Sequence, residues 1–334
     1  MKKLLIGLSI SLTLIGLSRC SASPESTEDS RIVYTAGSYY NGLRQIPCYW
    51  AGTVRTDLAG DGTHPALAMC VYVSGGTVYT SGHFGDGSKQ IPCYWTGTTR
   101  TDLPGDGTHD SFAESIFVSA GTVYMSGFYS NGSGFIPCYW AGTTRTDLPG
   151  DGEARSISVS GGTVYTAGHY AGVQKIIPCY WIGTTRTDLD SETNAYAYSI
   201  FVSGGTVYTA GYYYNGSAFM PCYWTGSARI DLAGEGMTFG YAYSIFVSGG
   251  TVYTAGCYYN GSRFIPCYWT GATRTDLAGN GVEDARAYSI VIAEGTVYTA
   301  GSYEDGSRQI PCYWKGTART NLTGEGLALS IFVE

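Results

Sequence analysis

The sequence predicts an all-β fold in which seven similar units, each of four antiparallel strands, form one closed ring. Three observations support this. The string Pro-Cys-Tyr-Trp occurs seven times at near-regular spacing, each copy lies among four short strand-like segments, and the two ends of the chain hold complementary parts of one unit. Units of this length with four strands are typical of propeller blades. We therefore predict a seven-bladed β-propeller over residues 31–334.

The repeat accounts for every tryptophan of the 334-residue chain. Successive tryptophans are 41 to 45 residues apart, at Trp50, Trp95, Trp140, Trp181, Trp224, Trp269 and Trp314. Read from Ser244, one unit contains the segments SIFVSGG, TVYTAGCYYNGSRF, IPCYWTG and ATRTDLAGNG. Each is rich in Val, Ile, Tyr or Thr and is bounded by glycine-containing turns, which is typical of β-strands. The four strands are named a, b, c and d in chain order.

The connections and the chain ends sharpen this prediction. Asn-Gly or Asp-Gly between strands b and c favours a tight type I′ hairpin, except in the fourth unit, where Ala171-Gly172 predicts a different turn. The first unit begins directly with a strand b at residues 31–37, and the chain ends with an unpartnered strand a at residues 330–333. Pairing these two strands leaves no open edge between blades, so we expect a closed ring.

Composition and charge exclude several classes of protein. Aromatic residues make up 14% of the chain and charged residues only 13%, which is unlike a disordered chain. The net charge is −7, and removal of residues 1–19 takes away Lys2, Lys3 and Arg19 and lowers it to −10. An acidic body without a basic cluster repels nucleic acid and anionic membrane surfaces. We predict a monomer that binds no nucleic acid.

Residues 1–20 are typical of an export signal. Lys2 and Lys3 precede an uncharged, mostly apolar run of 14 residues, which is too short to span a bilayer. The end of this run, Leu17-Ser18-Arg19-Cys20, resembles a bacterial lipobox, although Arg19 stands where a small residue is usual. The resemblance implies lipidation of Cys20, attachment to the membrane only through that lipid, and a location in the cell envelope, in the periplasm or at the cell surface. Residues 21–30 then form a polar tether. Cleavage after Ala22 with simple secretion is the alternative, and a chain without either processing step is the third.

Most conspicuous residues are explained by the repeat. Seven of the ten cysteines lie in Pro-Cys-Tyr-Trp, one per blade, too far apart for disulfides. The hairpin register predicts Cys257 opposite Phe264 or Ile265 and not opposite Cys267. Each strand d carries Arg and, two residues later, Asp or Asn, and we interpret these as solvated structural pairs at the blade edge. No cysteine pair has the spacing of a zinc or redox site, and we predict no metal and no cofactor.

The candidate functional residues are those that vary between blades. The connection from strand d to strand a varies in length, and it shares a face with the b–c hairpins. Repeat proteins vary most on the binding face. On this face the residue before the strand a Ser (Cys70 in the second unit) differs in almost every unit: Met69, Glu114, Arg155, Tyr198, Tyr243, Tyr288 and Leu329. We expect these side chains to surround the mouth of the central channel, with Glu114, Arg155, Tyr198, Tyr243 and Tyr288 contacting a ligand.

A second variable position follows the glycine of strand b and supplies His83, His169 and Tyr212 as further candidates. All four histidines, which include His64 and His109, fall on the same predicted face. A metal pair or an acid–base pair is conceivable there. Histidines are common on exposed loops, however, and this set does not recur in each blade, so we predict no catalytic residue.

The pattern GDG…SIFVSGGTVYTAG…IPCYW resembles NHL- and kelch-type propeller repeats in length and strand order. It is also similar to tandem repeats of exported proteins from host-associated and spirochaetal bacteria. These resemblances imply the propeller fold and export, and they say little about activity. We predict a non-enzymatic, envelope-associated binding or scaffolding protein whose partner is a protein or a glycan. The alternatives are a carbohydrate-specific lectin and a propeller lyase or hydrolase that uses His83, His169 or Glu114.

Overall fold

A computed structural model describes residues 31–232 and 234–334 of the chain. In this part, 28 β-strands form seven four-stranded antiparallel sheets, and no helix is present. The prediction of a seven-bladed β-propeller is confirmed. The predicted signal, the tether and Cys20 lie outside the described residues. Among those residues there is no helix that could span a membrane.

Within each blade the strands are named in spatial order, from the inner strand a to the outer strand d. Blade 1 consists of β28 (Glu325–Val333), β1 (Val33–Tyr40), β2 (Gln45–Ala51) and β3 (Val54–Asp57). Blade 2 consists of β4 (Ala66–Ser74), β5 (Thr77–Gly85), β6 (Gln90–Thr96) and β7 (Thr99–Asp102). Blade 3 consists of β8 (Ser111–Ser119), β9 (Thr122–Ser130), β10 (Phe135–Ala141) and β11 (Thr144–Asp147). Blade 4 consists of β12 (Gly152–Ser160), β13 (Thr163–Ala171), β14 (Ile176–Ile182) and β15 (Thr185–Asp188).

The last three blades repeat this order. Blade 5 consists of β16 (Ala195–Ser203), β17 (Thr206–Tyr214), β18 (Phe219–Thr225) and β19 (Ala228–Asp231). Blade 6 consists of β20 (Phe239–Ser248), β21 (Thr251–Tyr259), β22 (Phe264–Thr270) and β23 (Thr273–Asp276). Blade 7 consists of β24 (Ala285–Ala293), β25 (Thr296–Asp305), β26 (Arg308–Lys315) and β27 (Ala318–Asn321).

The ring closes within blade 1, where the C-terminal strand β28 pairs with β1. The pairing runs from Val33 opposite Val333 to Tyr40 opposite Glu325. Beyond the strand ends, Ile32 and Glu334 exchange two backbone hydrogen bonds, of 2.8 and 3.1 Å. The predicted closure is therefore confirmed, although β1 begins and ends later than predicted.

The repeated tryptophans connect neighbouring blades. All seven indoles are fully buried. In six blades the indole N–H donates to the carbonyl that follows the strand d Leu of the preceding blade, over 2.9 to 3.2 Å: Trp50 to Thr323, Trp95 to Ala59, Trp140 to Pro104, Trp181 to Pro149, Trp224 to Asp190 and Trp314 to Ala278. Each tryptophan thus buries a large apolar surface, and these six satisfy their one polar group across a blade junction.

The Arg and Asp of strand d form the predicted ion pairs and also contact a third residue. Arg55 Nε lies 2.9 Å from Asp57 Oδ1, and its guanidinium lies 3.5 Å from the centre of the Tyr39 ring. The Tyr39 hydroxyl in turn donates to Asp57. In blade 2, Arg100 also donates to the carbonyl of Gly60 in the preceding connection. The Arg of strand d is therefore bonded both within its own blade and to the connection that precedes it.

The connection between strands b and c has four residues in six blades and two in blade 7, where Asp305 pairs with Arg308. The loop of blade 1 is representative of the four-residue loops that begin with Asn or Asp. Asn41 N–H bonds to the carbonyl of Arg44, and Asn41 Oδ1 accepts the N–H groups of Leu43 and Arg44. Only Gly42 has a positive φ, so this is a four-residue loop closed by the Asn side chain, and the type I′ prediction is wrong. Consecutive left-handed residues occur between strands a and b instead, as at Gly75 and Gly76 with φ of 56° and 71°.

The cysteine register is corrected by one to two residues. Cys257 lies opposite Pro266, and Cys267 lies opposite Gly256. The expectation of Phe264 or Ile265 was wrong because the hairpin loop has four residues and not two. The nine cysteines of the described part are all free thiols, and eight of them are buried. Burial raises the pKa of Cys257 to about 12, so this thiol is a poor nucleophile at neutral pH.

The turn between strands a and b supplies a stability prediction. Ala120 occupies the first left-handed position in blade 3, with φ of 48°, where blade 2 has Gly75. We expect Ala120→Gly to stabilise the protein by about 1 kcal/mol, because it removes the steric cost of a Cβ in this conformation. Gly75→Ala should lower stability by a similar amount. Urea unfolding of both variants measures the two changes, and equal signs for the two would contradict the explanation.

Candidate functional site

The variable residue of each strand a is the extra residue of a β-bulge. In blade 3, Ala113 pairs with Gly127 and Ser115 with Ser126, so Glu114 has no partner. The same shift skips Met69, Arg155, Tyr198, Tyr243, Tyr288 and Leu329 in the other blades. Bulges re-aim side chains and are frequent beside active sites. The residue that varies between units is therefore the one that has no partner in the strand pairing.

The glycine of strand b makes the bulge possible. A Cβ on Gly127 would lie 1.9 Å from the carbonyl oxygen of Phe112, which precedes the bulge, and 2.9 Å from Trp140 Cζ3. The equivalent distance to the carbonyl is 1.8 to 2.0 Å in all seven blades: at Gly37, Gly82, Gly127, Gly168, Gly211, Gly256 and Gly301. Only glycine permits so close an approach of two strands.

Five of the seven bulge residues touch one another in sequence around the ring. Arg155 Nη1 lies 3.1 Å from Glu114 Oε2, and the Arg155 guanidinium lies 5.7 Å from the Tyr198 ring centre. Tyr198 contacts Tyr243 at 6.1 Å, and Tyr243 contacts Tyr288 at 5.7 Å between ring centres. We call these five side chains, from blades 3 to 7, the mouth arc. These are the same five residues that the sequence predicts at the channel mouth as ligand contacts.

The first end of the mouth arc is charged and mostly buried. Arg155 forms ion pairs with both Glu114 and Glu153, and His169 Nε2 lies 3.4 Å from Glu153. Burial raises the pKa of Glu114, and the nearby Arg155 opposes this rise. Burial, together with Arg155, lowers the pKa of His169 to about 3. One cation, Arg155, thus faces two acidic side chains at this end of the arc.

The other side of the arc continues into a cluster of aromatic rings on blades 5 and 6. Neighbouring ring centres are 4.8 to 6.2 Å apart. We call this cluster the aromatic patch, and its members are Tyr196, Tyr198, Tyr212, Tyr214, Phe219, Phe239, Tyr241, Tyr243, Tyr259 and Phe264. Each of them is partly exposed. An exposed aromatic cluster of this kind is characteristic of an interaction surface.

The second set of candidates is His83, His169 and Tyr212, and only two of them lie beside the mouth arc. The Tyr212 hydroxyl lies 2.9 Å from that of Tyr198, so Tyr212 belongs to the arc's surroundings, as does His169. His83 is separate: it packs edge-on against Phe112, and burial lowers its pKa to about 4. The expectation that histidines would be exposed loop residues is wrong for His83 and His169, which are each 8% exposed, because both lie in strands between packed blades.

The other two histidines lie in loops, as expected. His64 Nδ1 is 2.5 Å from Asp61, and His109 Nδ1 is 2.5 Å from Asp106. Over residues 31–232 and 234–334, no three His, Cys, Asp or Glu side chains are grouped as a metal site requires.

Sequence reasoning missed the residue two positions before each bulge. In blades 4 to 7 this position holds Glu153, Tyr196, Tyr241 and Arg286, all of which contact the arc or the patch. Arg286 lies 4.3 Å over the Phe264 ring and 3.1 Å from Asp284. This position also varies between units, and that variation was the available signal. Because alternation places residues two apart on the same side of a strand, both variable positions point to one surface.

Strand a lines the central channel below the arc. A cavity of about 370 Å³ is lined by all seven strands a, from Cys70 in blade 2 to Phe332 in blade 1. In six blades the Ser that follows the bulge accepts a backbone N–H from the next blade, over 3.1 to 3.4 Å. Cys70 stands at this position in blade 2 and instead lies 3.5 Å from the Ser330 hydroxyl. These bonds fix the height of each bulge.

No protein-family model matches this sequence, and no curated protein matches it either. Solved structures do. The β-propeller domain of the Trilobed protease from Pyrococcus furiosus has a TM-score of 0.53 and 9% identity, over 86% of this chain and 96% of that one. That domain is described as having an open velcro topology, whereas this ring is closed by strand pairing in blade 1.

Two further structures have a similar fold. TolB from Acinetobacter baumannii has a TM-score of 0.50 and 10% identity, over 89% of this chain and 82% of that one. An acylaminoacyl peptidase from Pyrococcus horikoshii has a TM-score of 0.50 and 11% identity, over 88% of this chain. This chain spans half the length of that peptidase, 50%. At such identities the likeness shows the β-propeller fold alone.

The bulge glycine gives a test of this architecture. We expect Gly127→Ala to destabilise the protein by about 1–3 kcal/mol or more, because its Cβ meets a backbone carbonyl that cannot move without loss of the bulge. Gly60→Ala is the matched control, since its Cβ would lie 3.4 Å from Ala66 Cβ and its φ is not positive. Thermal unfolding compares the two, and equal small losses would contradict the assigned role.

The buried histidines predict a pH dependence. His83 and His169 titrate near pH 6.5 when unfolded and at about 4 and about 3 when folded. Below pH 6.5 the unfolded chain therefore binds more protons, and each His costs up to about 1.4 kcal/mol per pH unit as the pH falls. His83→Phe, which copies Phe128 of blade 3, should lose less stability than wild type between pH 6.5 and 4. Parallel stability profiles would refute this.

Proposed function

We propose that this β-propeller is a non-enzymatic binding or scaffolding protein of the cell envelope. Its partner, a protein or a glycan, contacts the mouth arc and the adjoining aromatic patch. The single observation that carries the proposal is the continuity of the arc: five variable side chains from five blades meet at one surface, while the repeated residues around them are engaged in packing.

The chemistry of this surface suits a ligand with both apolar faces and polar groups. Partly exposed tyrosines offer flat apolar surface together with hydroxyl groups, and such residues dominate binding energetics at interfaces. The charged end at Arg155 adds a fixed donor and two acceptors. The bulges and the serine bonds below them hold these groups on rigid strands, so little conformational entropy is lost when a ligand binds.

The proposed location and state follow from the sequence. Lipidation of Cys20 would tether a monomeric propeller to a membrane through residues 21–30, and secretion after cleavage at Ala22 is the alternative. In both cases the binding face meets partners outside the cytoplasm. The acidic net charge of −7 disfavours nucleic acid as a partner.

A carbohydrate-specific lectin is the favoured refinement of this proposal, because the aromatic patch offers ring faces of the kind on which sugars stack. An enzyme is a second candidate. Glu114 is mostly buried and has a raised pKa, and it shares Arg155 with Glu153. Two neighbouring carboxyl groups, one of which has its pKa raised by burial, are an arrangement used in glycoside hydrolysis. The likeness to the acylaminoacyl peptidase from Pyrococcus horikoshii is one of fold alone, and it favours neither the binding protein nor the enzyme.

The binding surface is tested with the double variant Tyr198→Ala, Tyr243→Ala. We expect at least a tenfold loss of affinity for ligands found on a glycan array or captured from an envelope extract, because truncating central interface aromatics typically costs about 2 kcal/mol or more. Tyr40→Ala is the control, since Tyr40 lies on the blade 1 hairpin, on the same face, and is 50% exposed. Unchanged affinity in the double variant would remove the mouth arc from the binding site.

The variant Glu114→Gln distinguishes an enzyme from a binding protein. A catalytic acid requires turnover of the captured glycan by the wild type and loss of turnover in this variant with binding retained. A binding protein leaves the glycan intact in both.

A further inference from the structure

Three cavities lie on the same face at blade junctions, away from the mouth arc. Each is bounded by the b–c hairpin of one blade and by the connection to the next, and their volumes are about 420, 370 and 540 Å³ for the junctions of blades 1 and 2, 2 and 3, and 6 and 7. These volumes are in the range of small-molecule sites.

The floors of the three cavities are equivalent. In the first cavity the floor is formed by Ile46 and Pro47 of strand c, Leu58 after strand d and Ala66 of the next blade. The corresponding residues of the other two are Ile91, Pro92, Leu103 and Ser111, and Ile265, Pro266, Leu277 and Ala285. Each floor is therefore largely apolar and is built from repeated parts of the blade.

The loop acid at the rim of each of the first two cavities is already satisfied. Asp61 accepts the N–H groups of Thr63 and His64, the Thr63 hydroxyl and the His64 ring. Asp106 makes the same bonds to Thr108 and His109. These carboxylates hold the loop open as a wall of the cavity, and they have no further lone pair for a ligand.

Other polar groups at the rim remain available. Arg44 and Lys89 occupy the same hairpin position and each donates to a carbonyl of its own cavity's loop, of Thr63 and of Gly107. Arg263 stands at this position in the third cavity. None of the three cations has an ion-pair partner among residues 31–232 and 234–334. Each keeps further N–H donors that can point at a ligand.

The acceptors are of two kinds. In the first two cavities the histidine bonds its acid through Nδ1, which leaves Nε2 of His64 or His109 as an acceptor when Nδ1 carries the proton. The third cavity has Glu283 at the corresponding part of its wall. Each cavity thus combines one cation with at least one acid, so it carries no excess positive charge to hold an anion.

We infer that these three cavities are equivalent sites for an uncharged saccharide unit. The apolar floor suits the C–H face of a sugar ring, and the donors and acceptors at the rim suit hydroxyl groups, which both donate and accept. Three such sites on one face bind a branched or repeated glycan with avidity. This goes beyond the proposed function, because it names a ligand class and because the cavities lie outside the mouth arc; Phe264 of the aromatic patch also lines the third cavity.

Blade 5 provides an internal contrast. Its connection to blade 6 has the same length as the three that form cavities, but its hairpin carries Ala218 where the others carry a cation. Met237 of this connection packs into the core cluster with Leu232, and its sulfur would lie 3.2 Å from a Cβ on Gly240. Gly240 corresponds to Ala66 of the first floor. The hairpin and the floor of this junction therefore differ from those of the three cavities.

The test uses methyl glycosides of glucose, galactose, mannose, fucose and N-acetylglucosamine, with glucuronate as the charged comparison. Titration calorimetry of the full-length protein should give three equivalent sites for at least one neutral glycoside. Arg44→Ala, Lys89→Ala and Arg263→Ala should each lower the stoichiometry by one, and the triple variant should lose affinity at least tenfold. Lys175→Ala is the control at the same hairpin position of blade 4, and it should keep all three sites.

Three outcomes of these titrations overturn the inference: no binding of any neutral glycoside up to about 10 mM, selective binding of glucuronate, or full binding in the triple variant. The double variant Tyr198→Ala, Tyr243→Ala distinguishes the three saccharide sites from the binding surface of the proposed function. If it loses binding of the large ligand but keeps three glycoside sites, both proposals hold. If glycoside binding is lost with it, the sugar site is the mouth arc and the three cavities are not sites. Circular dichroism confirms that each variant is folded.

Discussion

The burial of one tryptophan at each blade junction is the constraint on which the rest of this structure depends. The indole fills the space between two sheets and donates its N–H to the preceding blade, so it fixes the distance and the rotation from blade to blade. Its ring edge lies against the strand b glycine, as Trp140 does against Gly127. That glycine admits the bulge of strand a, and the bulge turns a variable side chain towards the channel mouth. A packing residue thereby determines where the functional residues lie.

The invariant and the variable parts of the repeat have separate roles. Trp and Arg bond the preceding blade, the strand d acid holds that Arg within its own blade, and the serine after the bulge bonds the next blade. The residues that differ, at the bulge and two positions before it, face the same surface and contact each other from blade 3 to blade 7. Because the frame is repeated, substitutions at these positions change the chemistry of the surface without a change in backbone. The ring thus presents a different side chain from each blade at one place.

The sequence predicted the blades, the ring closure and the positions of the mouth arc, because these depend on repeat spacing and strand alternation. The prediction failed where the length of a loop, and with it the strand register, differed by one or two residues from the expected one. The Asn41 side chain makes a four-residue loop out of an expected two-residue turn, and Cys257 consequently pairs with Pro266. The burial of His83 and His169 was not predictable, since it depends on the neighbouring blade. Glu153 and Arg286 were missed, although each lies two positions before a bulge residue and therefore on the same side of its strand.

The pairing of β28 with β1 has a consequence for how the chain folds. Six blades are built from contiguous sequence, and each can form soon after its four strands are available. Blade 1 cannot, because its inner strand is separated from the other three by almost the whole length of the chain. Contacts of such sequence separation are slow to form, and until they do, the inner edge of β1 exposes unpaired backbone groups to other chains. The last nine-residue strand, β28, therefore decides both when the ring is complete and how long it is open to misassembly.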